Sequence, residues 1–158
     1  METEPITICS REDYLQILSE IADFWGSDRT LSFHHPIFIH EFGDTAFVIR
    51  KEGKVIAYLF GCLSQTENAG YVHLVGVRKN FQNKGLGKCL YNHFITLLKS
   101  KNIRELKAIT TPTNKVSILF HTRIGMTATG TKNETGIPIV KNYSGSGQDR
   151  IVFRMKLQ

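Results

Sequence analysis

The stretch of this 158-residue chain richest in chemistry runs Val75-Gly76-Val77-Arg78-Lys79-Asn80-Phe81-Gln82-Asn83-Lys84-Gly85-Leu86-Gly87-Lys88. An apolar run passes through a basic turn with two closely spaced glycines into a helix-periodic segment. Glycine lets a backbone amide turn toward a ligand without a Cβ in the way. The first amides of a helix lack intrahelical acceptors, and the helix dipole adds partial positive charge there. Together these form a cradle for phosphate oxygens, with Lys79, Lys84 and Lys88 adding full charges. Two familiar phosphate binders are excluded by spacing. A Walker loop needs GxxxxGK[ST], but Gln82 stands five before Gly87, and Cys89 follows Lys88. A dinucleotide fingerprint needs a third glycine where Leu90 stands, and an acidic strand end about 20 residues on.

The remaining chemistry-bearing residues are less patterned. His34, His35, His40 and His93 have no HExxH or other metal-ligand spacing, so no metal is expected. Cys9, Cys62 and Cys89 sit at unrelated spacings without a CxxC, which argues against a disulfide framework or zinc ribbon. They are expected as buried small hydrophobes in a reducing cytoplasm.

The elements that position the basic turn can be read from periodicity. Ile6–Ile8 is a strand candidate, and Ser10 with Asp13 opens a helix in a variant of the capping box. Tyr14, Leu18, Ile21 and Trp25 continue it at helical spacing to a stop at Gly26. Residues 36–42 form a second short helix. Strands 45–50 and 54–63 join through Glu52-Gly53 as a hairpin, and 70–78 is a third strand. Leu86, Leu90, Phe94, Leu97 and Leu98 define a helix ending in Lys99 and Lys101. After a strand at 106–110, Asn114 caps a helix carrying Val116, Leu119, Phe120 and Ile124, closed by Gly125. Residues 126–129 are extended, 132–148 form a long polar loop, and 151–157 make a last strand. The order describes a single domain over 1–158, of mixed α/β (α+β-like) class around a largely antiparallel sheet.

Composition fits that reading. Hydrophobic residues at 41% and charged residues at 22% exclude disorder, collagen and coiled coil. The longest apolar-plus-glycine run, 55–63, is about half of what a membrane helix needs. The acidic opening Met1–Pro5 does not resemble a secretory signal. Through Val75 there are 5 Lys/Arg against 11 Asp/Glu; from Gly76 onward there are 15 against 3. The split points to an anion handled by the second half and a cationic or neutral ligand by the first. A nucleic-acid partner is not expected, because Phe81, Tyr91, Phe94, Phe120, Tyr143 and Phe153 mostly fall on core-facing positions.

Gln82-Asn83-Lys84-Gly85-Leu86-Gly87 resembles the Q/R-x-x-G-x-G/A signature of the GNAT superfamily of acyl-CoA-dependent N-acetyltransferases. Asn114 through Met126 is similar to that family's N-x-x-A-x-x-L-Y-x-x-x-G-F helix, and 137–153 resembles one bacterial subgroup of largely unassigned acceptors. There are departures: Asn83 stands where glycine is usual, and His121 where many members carry a tyrosine general acid.

The resemblance implies a GNAT fold with a mostly antiparallel, mixed sheet of about six to seven strands, splayed in the middle, and about four helices. It implies acetyl-CoA as acyl donor with CoA as product, pantetheine along Val75, Gly76 and Val77, and pyrophosphate on Gln82, Asn83, Lys84, Gly85, Leu86, Gly87 and Lys88. Asn114, Ser117, Phe120 and His121 would line the same cofactor. The implied reaction is direct attack of a neutral primary amine on the thioester, in a ternary complex. An alkylamine is neutral to only about one part in a thousand at pH 7.4, so a proton acceptor helps. His73 is the candidate base, and His121 the candidate acid toward the departing thiolate. Tyr71 occupies the position where some relatives carry a catalytic glutamate. Tyr71, Glu41 and Asp44 are candidates for the acceptor side, the two carboxylates being equally compatible with surface solvation. The expected partner is a small, cationic amine in the cytoplasm, with no membrane and a homodimer left open. A peptide α-amine or lysine acceptor, or an acyl-CoA-binding module without catalysis, are the alternatives.

Overall fold

A computed structural model describes residue 2 and residues 4–158. Met1 and Thr3, part of the acidic opening, lie outside the described residues. The elements run β1 (Thr7–Ile8), α1 (Arg11–Ser19), α2 (Ile21–Trp25), α3 (Ile37–His40), β2 (Ala46–Lys51), β3 (Lys54–Leu63), β4 (Ala69–Val77) and α4 (Leu86–Ser100). They continue as β5 (Glu105–Thr110), α5 (Lys115–Arg123), β6 (Thr127–Thr129), β7 (Thr131–Lys132), β8 (Pro138–Ile139) and β9 (Ile151–Lys156). Seven strands pair in the order β1-β2-β3-β4-β5-β9-β6, while β7 and β8 form a separate pair. The mixed α/β class with a mostly antiparallel sheet is thus the observed one. The chain divides into two compact units, Met1–Cys62 with Val72–Ser100, and Leu63–Tyr71 with Lys101–Gln158.

In the first unit, the Ser10 hydroxyl accepts from Asp13 N–H at 3.1 Å while the Asp13 carboxylate accepts from Ser10 N–H at 2.8 Å. This is the reciprocal cap read from the sequence. The helix it opens is not continuous to Gly26, however. Glu20 leaves the helical well at φ −110° and ψ 23°, and Asp23 N–H closes back onto Glu20 O in a tighter turn. Two short helices result, with the Glu20 carboxylate turned to Arg78 at 2.7 Å. The helix expected over 36–42 is a single turn, α3.

The β2–β3 hairpin turns on Glu52 (φ 52°) and Gly53 (φ 71°), the left-handed pair a two-residue turn requires. Between Ile49/Arg50 the pairing slips, Ile49 facing Ala57 and Arg50 facing Val55. The extra residue on β3 resets the alternation, so Val55 and Tyr58 share one face. That face packs with Val48, Phe60 and Leu74 against Tyr14, Ile17, Ile21 and Phe24. Each such side chain removed from water contributes roughly 1.5–3 kcal/mol. Phe47, pointing the other way, meets Phe94 and His93 of α4 at ring distances of 6.2 and 4.7 Å.

In the second unit β9 lies between β5 and β6, pairing antiparallel with both. The Glu67 carboxylate receives the Lys107 ammonium and, at 3.0 Å, Arg154 Nη1. The hydrogen bonds from Arg154, and then from Lys107, hold Glu67 at about 2 against an ordinary 4.5. A carboxyl with a depressed folded pKa stabilises above its unfolded value and loses that contribution as pH falls through the folded one. Thermal unfolding of Glu67→Gln should therefore show its full deficit at pH 7. The deficit should shrink from pH 4.5 downward and vanish near pH 2, and a pH-independent deficit would contradict the ion cluster.

Three expectations need correction. Residues 132–148 are not all loop: β7 and β8 pair there, and Asn133 Oδ1 accepts from Thr135 N–H and Ile137 N–H at 3.0 Å each, tying the turn between them. On α5 the apolar residues are unevenly covered: Val116 is 81% and Leu119 50% exposed, Phe120 and Ile124 are half-buried, and the buried residue is His121. Of the cysteines, Cys9 is buried, Cys62 half-buried and Cys89 exposed, because Cys89 falls on the solvent side of α4, between buried Leu86 and Leu90.

Candidate active site

The basic turn is built from two left-handed residues and a helix start. After β4, residues 79–81 make one 3-10 turn and Gln82 is extended. Asn83 (φ 59°) and Gly85 (φ 81°) then reverse the chain into α4. Asparagine is among the few residues besides glycine that tolerate this region, which explains its place in the signature. Cys89 N–H reaches Gly85 O at 3.0 Å. The amides of Leu86, Gly87 and Lys88 precede that first helical bond and have no intrahelical acceptor. Gln82 Nε2 donates to Val77 O at 3.1 Å and Lys84 Nζ to Asn80 O at 3.2 Å, bracing the turn from both ends. Gln82, Asn83, Lys84, Gly85 and Lys88 are exposed. The chain holds no Asp or Glu from Gly76 to Arg104, so nothing in the local sequence repels an anion. These features fit a diphosphate.

Arg78 does not join that cradle. Its guanidinium is buried, donating to Glu20 and Asp23 at 2.7 Å each and to Val55 O at 2.8 and 3.1 Å, and it lies 4.6 Å from the Phe24 ring centre. Lys51 and Lys84 instead flank Phe81, at 5.8 and 5.2 Å from its centre.

Along β4 the odd residues Tyr71, His73, Val75 and Val77 are half-buried, while Val72, Leu74 and Gly76 are buried. His73 stacks on Phe38 at 4.3 Å and donates through Nε2 to Phe33 O at 3.0 Å. Burial lowers its pKa, against the raising effect of the Phe33 hydrogen bond. Glu41 and Asp44 stand exposed at the end of α3 and the turn after it.

In the second unit, α5 gathers Asn114, Ser117 and His121 along one face. Asn114 Oδ1 caps the helix at Ser117 N–H, 3.1 Å, so this oxygen serves the fold. His121 Nδ1 lies 2.7 Å from Ser117 O and 3.1 Å from Ser117 Oγ; a carbonyl only accepts, so Nδ1 carries the proton. The ring stacks on Phe153 at 4.8 Å and meets Phe120 edge-on at 5.2 Å. Burial lowers the His121 pKa, partly offset by the Ser117 bond.

One group escaped the sequence. Trp25 Nε1 donates to Tyr58 Oη at 2.7 Å, and His34 Nε2 lies 2.6 Å from the same oxygen. His34 Nδ1 is 2.8 Å from Thr30 O and must donate there. The neutral ring therefore accepts from Tyr58 through Nε2, and burial keeps it neutral by lowering its pKa. The paired histidines His34-His35 offered no spacing that would reveal this.

A sequence profile of the acetyltransferase (GNAT) family matches residues 12–126. The chain belongs to that family of acyltransferases. No curated protein sequence matches it. Among solved structures, the ribosomal-protein-S18-alanine N-acetyltransferase from Escherichia coli is similar at 17% identity and TM-score 0.69, covering 98% of this chain and 94% of that one. PaiA N-acetyltransferase from Thermoplasma acidophilum, in complex with coenzyme A, is similar at 15% identity and TM-score 0.73, covering 99% of each. An aminoglycoside 6'-N-acetyltransferase complexed with coenzyme A is similar at 12% identity and TM-score 0.69, covering 98% of each. At these identities the likeness is one of fold. No helix of the described residues is long and apolar enough to cross a membrane.

Proposed function

We propose that residues 1–158 act as one acetyl-CoA-dependent N-acetyltransferase domain whose acceptor is the primary amine of a small, cationic molecule in the cytoplasm. The observation that carries this reading is the turn at Asn83 and Gly85, leading into the 15-residue helix α4, with lysines and no Asp or Glu in the surrounding sequence 76–104. In this reading the amides at 82–88 hold the donor's pyrophosphate. The amide near Val77 polarises the thioester carbonyl as it gains charge. The acceptor nitrogen bonds to the acetyl carbon, the carbon–sulfur bond breaks, the amine loses a proton to a base and the thiolate gains one from an acid.

His73 suits the base. Its lowered pKa favours the unprotonated ring at neutral pH, so the base-limited side of the rate profile should rise with pH through a value below 6.5. His121 is the acid by resemblance. Its own lowered pKa means an acid-limited rate falls as pH rises through a value below 6.5. His121→Phe should lower kcat by roughly a hundredfold if the proton comes from this ring. Unchanged turnover at saturating acetyl-CoA would remove His121 from the reaction.

The acceptor class rests on charge. Asp13, Glu20, Asp23 and Glu67 are engaged by arginine or lysine within the fold, whereas Glu41 and Asp44, on the acceptor side by resemblance, are exposed and are the carboxylates assigned here to an ammonium. The test is thiol release from acetyl-CoA across polyamines, aminoglycosides, basic amino acids and short peptides. Release with cationic amines at a KM that rises with salt supports the reading. Turnover confined to neutral amines or peptide α-amines replaces the acceptor. Binding without release across the panel makes the protein an acyl-CoA-binding module.

A further inference from the structure

We propose that Tyr58 is a positioning residue for the acyl-transfer edge of β4, and that residue 76 is glycine so that this ring can bear directly on the strand. The inference rests on the reading above, in which the amide near Val77 meets the thioester. A Cβ built on Gly76 would lie 2.6 Å from both Cε1 and Cζ of Tyr58 and 2.8 Å from its hydroxyl oxygen. The tyrosine thus fills the space a side chain at 76 would need.

The ring has no room to withdraw. Its oxygen is fixed by Trp25 from α2 and by His34, which is itself anchored on Thr30 O. Its faces and edges meet Phe24 at 5.1 Å and Phe60 at 5.0 Å, and the side chain is fully buried. Burial also raises its pKa, keeping the hydroxyl protonated to donate to His34. Two other segments, α2 and residues 30–34, together with Phe60 on its own strand, therefore set the height of one tyrosine, and the tyrosine sets the height of β4 at Gly76. Val75 and Val77, on either side, present their side chains to the opposite face, so moving residue 76 carries the peptide of Val77 with it. A donor that must tighten onto a developing oxyanion is sensitive to such a shift; displacement by about 1 Å costs on the order of a hundredfold in rate.

The test uses the full-length enzyme with the best amine from the panel. Gly76→Ala should lower kcat by roughly ten- to a hundredfold while acetyl-CoA KM stays within about threefold, since pyrophosphate binding is unaffected. Trp25 is the one tryptophan in the chain, so its indole N–H resonance reports the push on Tyr58 and should move in the same variant. Combining Gly76→Ala with Tyr58→Leu, which removes the far end of the ring, should restore much of the lost kcat. A Gly76→Ala protein with a displaced indole resonance and wild-type kcat overturns the proposal, as does a double variant no faster than Gly76→Ala alone. If Gly76→Ala fails to fold, Tyr58→Phe keeps the ring but releases its anchor. It should lower kcat by about three- to tenfold at unchanged acetyl-CoA KM, and a wild-type kcat there is equally fatal. Wild-type enzyme that releases no thiol with any amine overturns the parent reading and this inference together. Wild-type turnover matched by its variants overturns this inference alone.

Discussion

Replacing Gly85 by valine should weaken acetyl-CoA binding by about a hundredfold, the loss expected when one or two amides no longer reach a charged oxygen. Gly85 sits at φ 81°, and a Cβ there would meet nothing within 4 Å. The damage therefore does not come from a clash. It comes from the left-handed conformation, which costs a residue with a side chain roughly 1–2 kcal/mol and a β-branched one most of all. The chain relieves that strain by rotating the peptide, and the amides of Leu86 and Gly87 follow. Gly53→Val is the matching control: Gly53 has φ 71° and equally open surroundings, but it lies in the β2–β3 turn. It should lose comparable thermal stability and bind acetyl-CoA normally by calorimetry. Equal affinity in Gly85→Val and wild type would mean that the turn does not hold the pyrophosphate.

The largest loss of stability is expected from Arg78→Ala. Removing one partner from a buried charge cluster costs about 3–5 kcal/mol, which for a chain of this length lowers Tm by roughly 10–15 °C. The side chain is only 7% exposed, and four contacts converge on it. Asp23 is 58% exposed and contributes little. The loss arises from Glu20, left half-buried without its arginine, from the Val55 carbonyl, which forfeits two donors, and from the Phe24 face. Arg78→Lys should recover less than half, because one ammonium cannot serve the carboxylate and the carbonyl from a planar fork. Differential scanning calorimetry of the three proteins decides it, and a drop below about 3 °C would show the cluster to be ornamental.

Arg78 also marks where reading the sequence stops being enough. In the run Arg78-Lys79 it looks like one more cation beside an anion site, and only the approach of Glu20 and Asp23, more than 50 residues earlier, gives it another role. The signature 82–87, the Ser10 cap and the Glu52-Gly53 turn were legible because each is a local device, complete within a few residues. The slip in β3 was not, since an extra residue leaves no mark in a run as uniformly apolar as 55–60. Without it the parity of Tyr58 is wrong, and so is its contact with Gly76. The α5 stripe misled for a related reason: Val116 and Leu119 have the spacing of a buried face, yet the packed ring is that of His121. Periodicity reports that a helix has two faces; which one is covered depends on what the rest of the chain brings to it.

The central place of β9 in the second unit has a consequence for biosynthesis. One edge of β5, and β6 as the last strand of the sheet, pair only with residues 151–156, translated after either of them. During elongation two strand edges therefore leave the ribosome unpaired, and closing them requires the late segment to insert between earlier ones. Released chains truncated before residue 151 should be cut by proteases at 105–110 and 127–129 more readily than the full chain, the condition in which a holding chaperone would have most to do.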